Sequence, residues 1–179
     1  MKQDIEREII LPEGIGAEVR GGEIAFKGAK GESSRKIPAG IIVSASGNRV
    51  TLNAKSATKR NLSEINAFES HVKNIALGLK SGYRSELAIV YSHFPITLAQ
   101  KGEAIEVSNF GGEKKPRRAK IVKGVHVEIK GKEIIVKGNS KESVSQTAAN
   151  LELATRKVGK DVRRFQDGIY VVKKAFAEE

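Results

Sequence analysis

An internal duplication is the feature that most limits what this chain can fold into. Residues 41–53, IIVSASGNRVTLN, align without a gap with residues 125–137, VHVEIKGKEIIVK, and this alignment places Gly47 over Gly131. Each segment alternates apolar and polar residues on both sides of a short turn that contains glycine, which is typical of a β-hairpin. The repetition of such a unit predicts that the chain contains two copies of one small domain.

The repeat extends to both sides of the hairpin. AFKGAKGE at 25–32 matches EVSNFGGE at 106–113, and we align EREII at 6–10 with ELAIV at 86–90. Apolar residues at helical spacing follow each hairpin, which predicts one amphipathic helix per copy. The predicted core-facing stripes are Ile65, Phe68, Val72, Ile75, Ala76 and Leu79 in the first copy, and Val144, Ala148, Leu151, Thr155 and Val158 in the second.

Local signals mark the ends of these helices. Gly78 and Gly159 are placed where a left-handed glycine cap is expected, and either Ser140 or Ser143 is a plausible N-cap of the second helix. The connection between the copies then lies in LKSGYRS, residues 79–85.

We therefore predict an N-terminal repeat domain over residues 1–82 and a C-terminal repeat domain over residues 83–179. The predicted fold class is α+β: two similar tandem domains, each a small, mainly antiparallel sheet with one helix packed on a face. Features needed only for folding should appear in both copies. Differences between the copies are therefore where function is expected.

The charge of the chain indicates a polyanionic partner. Its 179 residues include 32 Lys and Arg against 21 Asp and Glu, a net charge of +11, and such an excess attracts nucleic acid. Residues 1–82 hold 13 basic and 9 acidic residues (+4), whereas residues 83–179 hold 19 and 12 (+7). We expect the second domain to be the stronger binder. No membrane partner is expected, because no segment approaches about 20 apolar residues.

The first difference between the copies is a basic ribbon. ESSRKIP at 32–38 becomes EKKPRRAKI at 113–121, and five of the seven residues from Lys114 to Lys120 are basic. One interpretation is an edge strand whose lysines prevent association of sheets. The other is a ribbon that contacts phosphates, with arginines able to bind them bidentately. The clustering favours the second interpretation.

The second difference is a stretch that has no counterpart in the first copy, GKDVRRFQDGIYVVKK at 159–174. Five basic residues and one acidic residue lie between Arg156 and Arg164. Favourable interaction with the helix dipole explains some of these cations, and contact with RNA is the alternative. A strand over residues 169–172 would close the second sheet and leave the preceding cations facing outward.

Catalytic patterns are absent from the sequence. It contains no GxxxxGK[ST], GxSxG or HExxH motif and no cysteine, and its three histidines, His71, His93 and His126, are scattered. Asp161 and Asp167 could act as acids, but the surrounding cations would keep both ionised. We predict no enzyme, no cofactor and no metal. Two alternatives stay open: a nucleic-acid-processing enzyme that uses these two aspartates, and an RNA-independent protein-interaction module.

Five segments carry a resemblance to a known family: EREIILPEG, AFKGAKGE, VYSHFPIT at 90–97, SNFGGEK at 108–114 and KDVRRFQDGIYV at 160–171. Over essentially its whole length the sequence resembles the universal large-subunit ribosomal protein L-six family in its archaeal and eukaryotic form, whose eukaryotic name is L-nine. The resemblance implies a non-enzymatic protein that binds large-subunit rRNA mainly through its C-terminal domain. It also implies a position near the stalk base and the sarcin–ricin loop, where translational GTPases dock.

The family's motifs map onto individual residues of this chain. The terminal segment matches Lys160, Asp161, Arg163, Arg164, Phe165, Asp167, Gly168, Ile169 and Tyr170, and the basic ribbon matches Glu113, Lys114, Arg117 and Arg118. KGAKGESSR of the first copy departs from the family, which commonly has a proline and an arginine in this turn. RNA contact by that turn is therefore less secure.

The resemblance and the two basic stretches together give the predicted site. The predicted rRNA-binding residues are Lys114, Lys115, Arg117, Arg118, Lys120, Arg156, Lys157, Lys160, Arg163, Arg164, Lys173 and Lys174. Asp161, Phe165, Asp167 and Tyr170 are predicted to orient or pack, and both core packing and stacking on RNA remain open for the two aromatic residues. The implied partners are large-subunit rRNA, neighbouring proteins of the stalk base and, indirectly, translational GTPases. One copy per cytoplasmic ribosome is expected.

Overall fold

The computed structural model describes residues 3–178 of the chain, which forms two compact units, Met1–Gly82 and Tyr83–Glu179. Within these described residues, each unit contains one α-helix and two small antiparallel sheets. The predicted fold class, two tandem α+β domains with a helix packed on a sheet, is confirmed. The structure adds that each unit divides its strands between two sheets.

The described residues of the first unit, 3–82, form six strands and one helix. Its elements are β1 (Gln3–Ile10), β2 (Gly16–Arg20), β3 (Glu23–Gly28), β4 (Gly31–Lys36), β5 (Ile42–Ser46), β6 (Arg49–Ala57) and α1 (Lys59–Lys80). One sheet has the order β1-β6-β5 and the other the order β2-β3-β4. The predicted hairpin of the first copy is formed by β5 and β6.

The second unit repeats this arrangement and adds one strand. Its elements are β7 (Tyr83–Val90), β8 (Thr97–Lys101), β9 (Ala104–Ser108), a short 3-10 helix (Phe110–Gly112), β10 (Arg117–Lys120), β11 (Val125–Lys130), β12 (Glu133–Gly138), α2 (Lys141–Ala154) and β13 (Gly168–Ala177). The sheets have the orders β10-β9-β8 and β11-β12-β7-β13. The predicted closing strand is therefore present as β13, and it is longer than expected.

Each helix buries the stripe that its spacing predicted, with one exception. Ile65, Phe68, Val72, Ala76 and Leu79 of α1 are buried and Ile75 is half-buried, while Val144, Ala148, Leu151 and Thr155 are buried in the second unit. Val158 is 89% exposed, so the prediction that it faces the core is wrong. The reason is that α2 ends at Ala154, and Val158 belongs to the loop that follows.

The helix ends also differ from their predicted positions. Gly78 lies inside α1, and the residue with the left-handed backbone is Gly82 (φ 83°), whose N–H donates to the Gly78 carbonyl at 2.9 Å. Gly159 has a positive φ of 72° but lies beyond the end of α2. Of the two candidates for the N-cap of α2, Ser140 is the cap, because its side chain accepts from the Ser143 N–H.

The first strands of the two copies correspond with an offset of two residues from the sequence alignment. Leu11 donates its N–H to Asn48 at 2.9 Å, and Ile89 donates to Lys132 at 2.8 Å in the same position of the second hairpin. Ile9 accordingly pairs with Val50, and Leu87 pairs with Ile134. Ile9 therefore corresponds to Leu87 and not to Ile89, which corrects the alignment of EREII with ELAIV.

The glycine-rich turn of the first unit is explained by close packing. A Cβ on Gly28 would lie 2.8 Å from the Cβ of Leu79 in α1, a separation that side-chain carbons do not tolerate. The adjacent Lys30 N–H donates to the Leu79 carbonyl at 3.2 Å. This turn thus serves helix–sheet packing. Among residues 3–178, no helix is long and apolar enough to cross a membrane.

Candidate nucleic-acid interface

Three distant segments of the second unit meet around one open cleft of about 580 Å³. The lining comes from Ser92 to Phe94, from the β9–β10 loop (residues 109–116) with Arg117, and from the terminal loop (residues 155–167). These segments include parts of VYSHFPIT, SNFGGEK and KDVRRFQDGIYV. The structure therefore brings three separate motifs of the sequence to one place.

The SNFGGEK motif forms a tight turn with an unusual backbone. Asn109 (φ 57°) and Gly111 (φ 59°) are in the left-handed region, and Gly112 also has a positive φ of 80°. Asn109 is one of the side chains that best tolerate this conformation, and its Nδ2 donates to the Pro95 carbonyl at 3.1 Å. The turn directs Phe110 into the core, where it is fully buried.

Arg117 is the central contact of this turn. Its Nε lies 2.8 Å from Glu113 Oε2 and its Nη2 lies 2.5 Å from Glu113 Oε1. Its Nη1 donates to the carbonyls of Ala154 and Arg156, each at 3.1 Å. The hydrogen bond from Arg117 lowers the pKa of Glu113 below its usual value, and the same bond raises the pKa of Arg117. This arginine therefore joins β10 to the end of α2 and to the terminal loop.

Asp167 anchors the other end of the terminal loop. Its Oδ1 accepts from the Ser92 N–H at 2.9 Å and from the Ser92 hydroxyl at 3.0 Å, and its Oδ2 lies 3.4 Å from Lys157 Nζ. Burial alone would raise the pKa of Asp167, but the Ser92 hydrogen bonds and the Lys157 charge outweigh it and lower this pKa. The ionised carboxylate is a structural anchor.

Asp161 organises the tip of the same loop. It accepts from the Arg163 N–H at 2.9 Å and from the Arg163 guanidinium at 2.9 Å, and its backbone carbonyl accepts from the N–H groups of Arg164 and Phe165. The side-chain hydrogen bond from Arg163 lowers the pKa of Asp161. Such an arrangement is an Asx turn, in which a short side chain fixes the following backbone.

The contacts of the two aspartates differ from those of catalytic acids. Each is held ionised by its own partners, whereas a general acid needs a raised pKa. Within residues 3–178, no group of three His, Cys, Asp or Glu side chains is arranged to hold a metal ion. The described geometry therefore gives no support to the enzyme alternative.

Neither aromatic residue of the terminal segment belongs to the hydrophobic core. Phe165 is 40% exposed, and Lys160 and Lys157 lie 4.8 Å and 5.7 Å from its ring centroid. Tyr170 is half-buried and donates its hydroxyl to the Gln166 carbonyl at 2.9 Å. The core residue of this segment is Ile169, whose N–H donates to Thr155 Oγ1.

The predicted basic ribbon is divided between two faces of β10. Strand alternation points Arg117 towards the helix side and places Arg118 and Lys120 on the opposite face. There Arg118 lies 2.9 Å from the buried carboxylate of Glu106, which Lys101 also contacts at 2.7 Å. Arg118 and Lys120 are therefore not part of the cleft.

The two lysines of β13 also lie away from the cleft. Lys173 Nζ is 3.0 Å from Glu86 Oε2 on the neighbouring strand and 5.7 Å from the Phe176 ring. Lys174 lines a smaller depression beside α2, together with Ser85, Ser145 and Glu152. The structure thus places the predicted cations on several faces of the second unit.

Many of the predicted cations have no acidic partner. Among residues 3–178, no ion pair or side-chain hydrogen bond occupies the charged groups of Lys114, Lys115, Lys120, Arg156, Lys160, Arg164 and Lys174. Five of these seven residues lie in the two loops that border the cleft: Lys114, Lys115, Arg156, Lys160 and Arg164. The paired cations, Arg117 and Lys157 above all, hold those loops in place.

Sequence reasoning missed the residues that anchor the loops. The motifs that contain Ser92 and Phe110 predict no role for either residue, although Ser92 holds Asp167 and Phe110 lies against Arg117. Ser92 and Asp167 are 75 residues apart, so no local pattern links them. The left-handed Asn109 and the paired glycines were the available signal, because Asn-x-Gly-Gly is unfavourable in a strand and indicates a special turn.

Comparison with known proteins agrees with the sequence resemblance. The family model described as ribosomal protein L6 matches residues 94–168, which include both loops. Three curated relatives named large ribosomal subunit protein uL6 come from Sulfurisphaera tokodaii, Methanococcus vannielii and Saccharolobus solfataricus. They are 41%, 40% and 39% identical over 93%, 96% and 97% of this chain and 91%, 94% and 97% of their own lengths.

Together with the tandem domains, these matches assign the chain to the class of ribosomal proteins. More narrowly, the chain belongs to the ribosomal protein L6 family, whose archaeal members are named uL6. The similarity extends over nearly the whole chain and its relatives, so the family assignment covers both units.

Proposed function

We propose that this protein is a structural component of the large ribosomal subunit and that it binds large-subunit rRNA mainly through its second unit. The names of the curated relatives support the assembly. The concentration of basic residues in residues 83–179 supports rRNA as the ligand. On this proposal the protein acts in the cytoplasm as one copy in each ribosome.

The observation that carries the proposal is the arrangement of unpaired cations on two anchored loops. Lys114 and Lys115 lie on the β9–β10 loop, and Arg156, Lys160 and Arg164 lie on the terminal loop. Acidic residues in these loops are already used internally, since Glu113 holds Arg117 and Asp161 holds Arg163. The remaining positive charge faces solvent, where phosphates of a folded RNA can approach.

Arg117, Lys157, Asp161 and Asp167 have a different role in this proposal: they position the loops. Four N–H groups of the Arg117 guanidinium already have acceptors in the protein, which leaves little capacity for a phosphate. Fixing the loops before RNA arrives reduces the entropy lost on binding. Phe165, half-exposed between lysines, is placed to stack on a base.

The cations outside the cleft extend the proposed contact area. Arg118, Lys120, Lys173 and Lys174 lie on other faces of the second unit, and we assign them to phosphates of adjacent rRNA segments. An RNA junction that surrounds the unit accounts for such a distribution better than one straight helix does. By resemblance to the family, the junction is near the stalk base, where neighbouring ribosomal proteins and translational GTPases would be close.

Charge reversal in the terminal loop tests this function directly. The double variant Lys160→Glu and Arg164→Glu should weaken binding to an rRNA fragment selected by nuclease protection in native subunits. The matched control is Lys36→Glu with Lys55→Glu, which makes the same charge change at exposed positions of the first unit. Equal losses of affinity in the two double variants would mean that only net charge matters, which would contradict a specific RNA-binding surface.

Salt dependence provides a second readout on the same fragment. Each phosphate contact should contribute a slope of about −0.7 to −0.9 to the plot of log affinity against log salt concentration. For the double variant Lys160→Glu and Arg164→Glu, this slope should be shallower by the amount expected for the loss of about two phosphate contacts. A wild-type affinity that does not change between low and moderate salt would overturn the electrostatic mechanism.

Two further measurements separate this proposal from its alternatives. A protein-interaction module that does not need RNA should leave large subunits during a high-salt wash, whereas an rRNA-anchored protein should sediment with them. A nucleic-acid-processing enzyme should show metal-dependent cleavage that Asp167→Asn abolishes. We expect retention after the wash and no cleavage by either form.

A further inference from the structure

The outer edge of β1 is open in the first unit, whereas the equivalent edge is covered in the second. Among residues 3–178, β1 pairs with β6 alone, so it is an edge strand. Its counterpart β7 pairs with β12 on one side and with β13 on the other. The duplicated fold thus contains a position for one more strand, and only the second copy fills it from its own chain.

The backbone of β1 presents this position in the correct register. Leu11 donates its N–H towards β6, and alternation along an antiparallel strand then turns the N–H and C=O groups of Glu6, Glu8 and Ile10 away from β6. By the correspondence of Ile9 with Leu87, these residues match Arg84, Glu86 and Ala88. In the second unit Ala88 pairs with Tyr170 and Glu86 pairs with Lys173, both on β13.

One side-chain contact indicates the chemistry of the missing strand. Glu86 is bridged by Lys173 of β13, with Nζ and Oε2 3.0 Å apart. Glu8 occupies the equivalent position, and its side chain is 51% exposed beside Arg49 at 3.1 Å. Glu6 is a second exposed carboxylate on the same face of β1. A strand added here would meet two glutamates where β13 meets Glu86.

The edge also lacks several devices that usually prevent pairing. Register between β1 and β6 is regular from Ile5 to Ile10, and this stretch contains no proline or lysine. Natural edge strands are commonly interrupted by such residues or by bulges. The pairing of β1 has a register shift between Gln3 and Ile5, but the regular stretch from Ile5 to Ile10 suits the addition of an extended peptide by main-chain hydrogen bonds.

We propose that the outer edge of β1 is a docking site for an extended, basic segment of another protein, which adds to the sheet as an antiparallel strand in the manner of β13. Carboxylates at Glu6 and Glu8 would repel RNA phosphates, which argues against rRNA as the occupant. They would also oppose one another if two copies of β1 paired antiparallel. A strand with a lysine or arginine opposite Glu8 would pair with the outward N–H and C=O groups of β1 and would also neutralise the Glu8 carboxylate.

Site-specific photo-cross-linking in assembled large subunits tests the site. Glu8 is replaced by the photoreactive residue benzoylphenylalanine, with Glu23 as the matched control because it is an exposed glutamate on β3 of the same unit. We expect a cross-link from position 8, but not from position 23, to a peptide of another protein that contains lysine or arginine. A cross-link to rRNA, to a second copy of this chain, or at the control level only would overturn the proposal.

Hydrogen exchange on the wild-type chain gives an independent readout if the substituted chain does not assemble. In the free protein, the outward N–H groups of Glu6, Glu8 and Ile10 should exchange faster than those of Arg7 and Ile9. In assembled subunits, exchange of the three outward groups should slow by about tenfold or more. Unchanged exchange at all three would refute a docked strand. Neither measurement depends on the terminal loop, so a failure of the RNA proposal would be seen separately.

Discussion

The guanidinium carbon of Arg117 lies 4.4 Å from the ring centroid of Phe110. Because Phe110 is buried, the arginine lies over an apolar platform and projects its N–H groups towards the end of α2. This stacking fixes one side chain between two loops that are far apart in the sequence. The RNA-facing surface proposed for the second unit therefore depends on a contact beneath that surface.

Arg117→Lys should destabilise the second unit by about 1–3 kcal/mol, because lysine retains the charge but loses the bidentate contact and the fork that reaches two carbonyls. Urea unfolding of the full chain measures the change. The control is Arg118→Lys on the same strand, whose side chain is 74% exposed and should change stability by about 0.5 kcal/mol or less. Equal effects of the two variants would contradict a special role for Arg117.

Stability should decrease in acid partly through Glu106. A hydrogen bond from Lys101, with a further contribution from Arg118, lowers its pKa in the folded protein. A carboxylate whose pKa is lowered by folding stabilises the protein above its unfolded pKa of about 4.3, and this stabilisation is lost as the pH falls through the folded pKa. The wild type should thus be more stable than Glu106→Gln near neutral pH and should approach it below about pH 4.

Denaturant unfolding of both proteins across this pH range measures the Glu106 effect. Glu133→Gln is the matched control, since Glu133 is exposed on β12 and makes no ion pair with a described residue. The free energy of unfolding of Glu133→Gln should differ little from that of the wild type at every pH. If the free energy of unfolding of Glu106→Gln stayed below that of the wild type by the same amount down to pH 2, lost packing and not lost charge would explain the destabilisation.

Gly28→Ala should destabilise the first unit by about 1–3 kcal/mol, because the new methyl group would collide with Leu79 and force β3 and α1 apart. Thermal unfolding measures this loss. Gly16→Ala is the control, because nothing lies within 4 Å of a Cβ at that position and its stability should be unchanged or slightly increased. If Gly28→Ala unfolded at the same temperature as the wild type, the contact between β3 and α1 would not be tight.

Phe165→Ala should weaken binding to the rRNA fragment by about 1–3 kcal/mol if the ring stacks on a base, while its effect on unfolding stays below about 1 kcal/mol, because the side chain lies outside the core. Ile169→Ala, four residues further on, should do the opposite and cost about 2–5 kcal/mol of stability. Calorimetry and RNA titration on both variants separate stacking from packing. A large stability loss in Phe165→Ala would assign the ring to the fold.

Periodic signals predicted most of the fold, because both copies repeat the same alternation and the same helical spacing. They could not predict strand register. Side chains in a strand alternate with a period of two, so matching Ile9 to Leu87 or to Ile89 places an apolar residue on the core face in either case. Only the backbone hydrogen bonds of Leu11 and Ile89 decide between the two.

The end of α2 was also beyond local prediction. Val158 continues the helical spacing, but the chain leaves the helix after Ala154, and Thr155 instead accepts a hydrogen bond from Ile169 on β13. Such a contact joins residues from different elements and has no signature in a window of sequence. Composition located the charged stretches of the candidate site, whereas their arrangement around Arg117 and Asp167 required the tertiary structure.

The pairing of β13 with β7 has a consequence for the order of events during synthesis. Tyr83 at the start of the second unit pairs with Ala177 near its end, so the sheet joins residues of very large sequence separation, a topology that slows folding. A nascent chain that lacks β13 lacks the Ile169 N–H that donates to Thr155 Oγ1, so this contact between the terminal strand and the end of α2 is missing. If the second unit binds rRNA as proposed, its RNA-facing surface would be complete only after β13 has been translated, and shorter nascent chains would not compete for rRNA.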